Sequence, residues 1–181
     1  MSDERLPWLS ARRPALSDEE MAQLTEPIGI RLPPELRLWW RWFNGATTPG
    51  RVPLTPALEV LSLEVALEAR AAMRTIAADV GETRDEDIES LWPFSFLPIF
   101  GTGSSAMIAA NTALSPATPL HYQDFHGSPH DLLMVAPSLG DAVHRWVEMS
   151  EAGYYRWDEG SGQWDFTRLG ALGQPIITLL I

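Results

Sequence analysis

The sequence predicts an α+β domain, a mostly antiparallel sheet flanked by helices. Three observations carry that expectation. Apolar residues recur at spacings of three and four through the first half of the chain. Strand-like segments then follow one another from Phe94 to Ala136, and a capped helix follows Ser138. Strand–helix alternation is absent, which argues against a doubly wound nucleotide-binding fold.

Residues 1–15 carry Pro7 and Pro14 among scattered charges and read as a flexible N-terminal arm, leaving residues 16–181 as a single domain. Ser17-Asp18-Glu19-Glu20 is a capping box that opens a helix from about Asp18 to Glu26, stopped by Pro27. The most informative stretch runs from Leu32 to Gly45. Pro33 and Pro34 preset the helical φ at its start. Leu36, Trp39, Trp40 and Phe43 build a large apolar face, and Asn44-Gly45 is expected to end the helix with a left-handed residue.

Pro49, Gly50, Pro53 and Pro56 make Thr47–Pro56 a loop. Leu58–Leu61 reads as a short edge strand and Ser62 as an N-cap. From Leu63 to Val80 an alanine-rich helix follows, with Leu63, Ala66, Leu67, Arg70, Met73, Ile76 and Ala77 along one stripe. Gly81 ends it, and Asp85 to about Leu91 adds a further helical segment before Pro93.

The period then changes. Phe94–Phe100 and Ser105–Asn111 read as a hairpin across Gly101-Thr102-Gly103, with Pro98 required to sit at an edge or a bulge. Thr118–Phe125 and Asp131–Ala136 read as two more strands. Ser138 caps a helix carrying Ala142, Val143, Trp146, Val147 and Met149, terminated by Gly153. Tyr154–Trp157 and Gln163–Phe166 resemble a final hairpin, and the Ile176–Ile181 tail is apolar.

Composition excludes several chemistries. Cysteine is absent, which removes disulfides, thiolate metal sites and cysteine nucleophiles. No apolar run reaches the roughly 20 residues of a membrane helix, and the polar N-terminus is no secretory signal, so a cytoplasmic protein is expected. The net charge of −11 repels nucleic acid and anionic membranes from the molecule as a whole. All 13 basic residues are arginine. Acidity is concentrated between Asp79 and Glu89, where six acids face one base, a net −5.

The order of motifs resembles the SUKH superfamily, the Smi/Knr-like domain of fungal cell-wall regulators and many bacterial proteins. Leu32-Pro33-Pro34-Glu35-Leu36 through Asn44-Gly45 is similar to that family's opening helix. Phe96-Leu97-Pro98-Ile99-Phe100-Gly101 through Ala109 is similar to its central hairpin. Thr118–Tyr122 and Asp131–Leu139 are similar to the strands and capped helix that follow. The likeness spans residues 17 to about 152. It departs from the family in the turn Gly101-Thr102-Gly103-Ser104, where an acidic turn is usual, and at Asn111, where an Asp is usual. The resemblance implies a SUKH fold and a non-catalytic binding module, in bacteria an immunity protein that neutralises a toxin, often a nuclease.

On that reading no cofactor, metal or catalytic residue is assigned. The partner-binding candidates are Asp85, Glu86, Asp87 and Glu89, an acidic patch suited to a basic toxin domain. Trp157 and Trp164 join them as aromatics flanking the last turn. The partner is expected to be a protein, without direct nucleic-acid or membrane contact, and the chain a monomer or weak homodimer. Two alternatives stand: a regulatory scaffold without a toxin partner, and a metal-dependent enzyme. The latter would use the loop holding His121, Asp124, His126, His130 and Asp131, whose spacings match no established metal motif. Gly101–Ser105 is glycine-rich but lacks a phosphate-loop lysine and reads as a hairpin turn.

Overall fold

Ser17 opens the first helix as its neighbours dictate. Its Oγ accepts from the Glu20 N–H at 3.2 Å, and its own N–H donates to Glu20 Oε2 at 2.8 Å. The computed structural model describes residues 12–46, 58–80, 85–101, 106–114, 117–124, 132–154, 156–158 and 163–165. The helices are α1 (Asp18–Thr25), α2 (Pro34–Trp42), α3 (Leu63–Val80), α4 (Asp85–Leu91) and α5 (Leu139–Glu151). A 3₁₀ turn, Glu26–Ile28, follows α1 and carries the chain past Pro27. The strands are β1 (Glu59–Val60), β2 (Phe96–Gly101), β3 (Ala106–Asn111), β4 (Leu120–Asp124), β5 (Leu133–Ala136), β6 (Arg156–Asp158) and β7 (Gln163–Asp165).

Strands β1 to β5 form one antiparallel sheet in chain order, with β1 and β5 at its edges. Pro98 lies on an interior strand, and the register shifts between Pro98 and Phe100. A bulge there is what lets a residue without an N–H sit inside a ladder. Strands β6 and β7 pair as a separate hairpin.

Both faces of the sheet carry core. Leu97, Phe100, Ile108, Ala110 and Leu120 pack in the larger cluster with Leu36, Trp39 and Trp40 of α2 and Leu139 and Ala142 of α5. Phe96 and Ala109 face the other way, in a smaller cluster with Met73, Ala77, Leu91 and Trp92. Helix α3 serves both. Leu63, Ala66, Arg70, Met73 and Ala77 are its buried stripe, while Ile76, expected on that stripe, turns to solvent.

The Asn44-Gly45 pair corrects the sequence expectation. Helix α2 ends at Trp42, and Phe43 is already extended at φ −157°. Asn44 is buried, and its Oδ1 accepts the Leu63 N–H at 2.9 Å, capping α3 across 19 residues of chain. Gly45 has φ +74°, and a Cβ there would lie 2.5 Å from the Ser62 nitrogen. The pair is a clamp between α2 and α3, not a helix stop. Arg13 closes it from outside: its N–H donates to the Gly45 carbonyl at 2.8 Å and its Nη1 to Ser62 Oγ at 2.7 Å. The last residues of the N-terminal arm are therefore tied to the body.

Glu35, beside the paired prolines, reaches α5. Its Oε1 accepts the Gly140 N–H at 2.6 Å, one of the free donors at that helix start. Ser138 Oγ accepts the Asp141 N–H at 2.9 Å. Helix α5 thus has a local cap and a second acceptor from α2. Among the described residues no helix is long and apolar enough to cross a membrane.

Candidate interaction surface

The acidic segment meets the body through an arginine clasp. Arg70 and Arg74 lie one turn apart on α3. Arg70 is buried, and its Nε and Nη2 both donate to the Phe94 carbonyl, at 3.3 and 2.8 Å. Arg74 Nη1 donates to the Trp92 carbonyl at 3.0 Å and to Glu89 Oε1 at 2.7 Å. The other Glu89 oxygen accepts the Phe94 N–H at 2.8 Å. The Phe94 ring lies against the guanidinium carbons of Arg70 and Arg74, 4.3 and 5.5 Å from its centroid. Trp92, Pro93 and Phe94, which cannot continue α4 past the proline, are held by charge-assisted bonds to their backbone.

Glu89 is therefore occupied as well as exposed. Burial works against its charge, but the Phe94 N–H, the Arg74 hydrogen bond and the charges of Arg74 and Arg70 outweigh it. Its pKa lies below the ordinary glutamate value. The carboxylate fixes the exit of α4 and so orients the helix that carries Asp85, Glu86 and Asp87. Those three open α4, where acids also suit the helix dipole; their side chains lie outside the described residues.

Of the histidine loop, His121 and Asp124 lie apart. On β4, His121 pairs with Ala109 and Asp124 with Ala106, which puts them on opposite faces of the sheet. The His121 ring stacks on Phe96 at 4.8 Å. Burial pushes its pKa below the usual histidine value, partly opposed by the Pro119 carbonyl. Tyr122 donates to Asp124 Oδ2 at 3.4 Å on the other face. His126, His130 and Asp131 lie outside the described residues, as do residues 102–105 of the glycine-rich turn and the Ile176–Ile181 tail. Among the described residues no three His, Asp or Glu group as a metal site.

Trp157 and Trp164 are directly opposite each other in the β6–β7 register. A different aromatic is exposed on the body. Trp42 is 52% and Leu38 64% accessible, one turn apart on the outer face of α2. Both lie outside the apolar face that the sequence marks on this helix. The signal was there, since the buried face is set by Leu36, Trp39 and Trp40, and Leu38 and Trp42 fall off it.

The profile of the SMI1/KNR4 family (SUKH-1) matches residues 15–144, well over half of the chain. The chain belongs to the SUKH-1 family. The matched segment begins just before the Ser17 cap and ends within α5, so it takes in the clamp, the arginine clasp and the whole five-stranded sheet. No curated protein matches the chain. Family membership supports a non-catalytic immunity or regulatory module that works by protein–protein interaction.

Proposed function

We propose that this SUKH-1 protein is a cytoplasmic immunity protein that neutralises a cognate toxin by binding it and catalyses no reaction. The acidic surface of α4, with Asp85, Glu86, Asp87 and Glu89, meets a basic face of the toxin, such as the substrate groove of a nuclease. Trp157 and Trp164 supply further, aromatic contacts to the partner. The observation that carries this reading is the charge distribution within a family of binding modules: a net −5 between Asp79 and Glu89 on a chain of −11.

The physical logic is electrostatic. Clustered acids raise the encounter rate with a cationic partner and disfavour wrong partners. The Arg74–Glu89 pair ties the end of α4 to α3, which lessens the ordering that helix needs on binding.

Co-expression with each toxin domain encoded beside the gene tests the reading. One toxin is expected to be neutralised, with growth restored and a stable complex recovered. Growth arrest by every neighbouring toxin despite co-expression would overturn it in favour of a regulatory scaffold.

A further inference from the structure

One short stretch of this acidic chain, the entry to α2 and the helix itself, carries a local excess of arginine. Between Arg31 and Trp42 there are three arginines and one acid, a net +2 against −11 for the whole. The single acid, Glu35, is turned inward: one oxygen accepts from Gly140 and the other is buried. Arg31 and Arg37 line an open cavity of about 470 Å³ together with Pro33, Pro34 and Thr112. Neither arginine makes an ion pair among the described residues, whereas Arg13, Arg41 and Arg74 each lie within 4.0 Å of a carboxylate.

One helical turn further on, Leu38 and Trp42 form an apolar ledge. The Trp42 ring is held by Trp39 at 5.5 Å and Phe43 at 5.9 Å. A ring already packed from behind loses little freedom when a partner covers it, which is the character of an interface anchor. Arg41 stands beside the ledge, 3.5 Å from Asp18.

We propose that the outer face of α2 is a docking site for an acidic segment of a partner protein. A carboxylate of that segment enters the cavity between Arg31 and Arg37, and an apolar side chain covers Leu38 and Trp42. The charge match selects the occupant: guanidinium groups without carboxylate partners recognise carboxylate oxygens directly. The adjoining ledge calls for an apolar side chain, which a nucleic-acid backbone lacks, and a phosphate at every nucleotide meets more repulsion from the whole molecule than a short segment with a few carboxylates. This face is opposite in sign to α4 and stands independently of the toxin proposal.

The probe is a short fluorescein-labelled peptide of glutamate and leucine at helical spacing, titrated into the full chain at low salt and followed by anisotropy. Saturable binding is expected. It should weaken about tenfold when glutamine replaces the glutamates or when the protein carries Arg31→Glu and Arg37→Glu, and about fivefold in Trp42→Ala. The double charge reversal should instead bind the matching lysine–leucine peptide. Both arginines are exposed, so circular dichroism should show that variant folded. The triple change Asp85→Asn, Glu86→Gln, Asp87→Asn should not weaken peptide binding, since it only lessens the repulsion of the whole molecule. Absence of saturable binding, or equal binding by the wild type and the charge-reversed protein, would overturn the proposal. An oligonucleotide of equal charge that binds with the same arginine dependence would also overturn it, in favour of a nucleic-acid site.

Discussion

The two ends of α3 are held in opposite ways. At its start, Asn44, Gly45 and Ser62 bring backbone so close to backbone that no Cβ fits, and the charged Arg13 only closes the joint from outside. Towards its end, Arg70 and Arg74 grip the carbonyls of Trp92 and Phe94, and Glu89 closes the ring of charges. The first joint depends on shape and fails abruptly when an atom is added. The second depends on charge and weakens by degrees. The fold places the invariable joint next to the aromatic core and the adjustable one beside the acidic surface.

The sharpest way to break the contrast is Gly45→Ala. It forces a positive φ on alanine and drives a methyl into the Ser62 backbone, so a loss of about 3 kcal/mol is expected from urea unfolding. Arg70→Met comes next. It leaves the Phe94 carbonyl without its two donors and should cost about 2 kcal/mol. Asn44→Ala removes the acceptor of the Leu63 N–H and a long bond to Glu64 but leaves the Ser62 cap, and should cost about 1 kcal/mol by the same measurement. If Asn44→Ala proved costlier than Gly45→Ala, close approach would not be what defines that joint.

The smallest effect is in pH. His121 has its folded pKa lowered from an ordinary 6.5 by burial against the sheet. Its neutral form is the one the fold accepts. Stability from this group is complete above about 6.5 and declines as pH falls below that value, because the unfolded chain takes up the proton first. His121→Phe keeps the ring on Phe96 and should flatten that part of the melting-temperature profile. Glu89 acts lower on the scale. Its pKa is below 4.5, so its contribution is present above that value and fades as pH falls through the folded pKa. Glu89→Gln should therefore lower stability at neutral pH and flatten the acid limb, where the two proteins converge.

What the sequence disclosed followed the range of the interactions. Ser17 and Ser138 were legible as caps because their partners, Glu20 and Asp141, are three residues away. The bounds of α3 and α4 were legible from caps, alanine content and Pro93, and the bulge at Pro98 from the missing N–H. Asn44 was misread as a helix stop because its partner, Leu63, is 19 residues distant. Arg70 was placed on the buried stripe, but nothing local tells that a carbonyl 24 residues on receives it. Of the candidate surface, the acid excess was plain in composition. The exposure of Trp42 was legible from the helix's own face, whereas the engagement of Glu89 was decided by neighbouring elements.

The most direct measurement is the association rate of this chain with the toxin proposed as its partner, at low and at high salt. The wild type should associate fast and lose rate steeply as salt rises. The triple variant Asp85→Asn, Glu86→Gln, Asp87→Asn should be about tenfold slower at low salt with its melting temperature unchanged. Equal rates for the two proteins across the salt series would contradict the claim that the acidic face of α4 carries recognition.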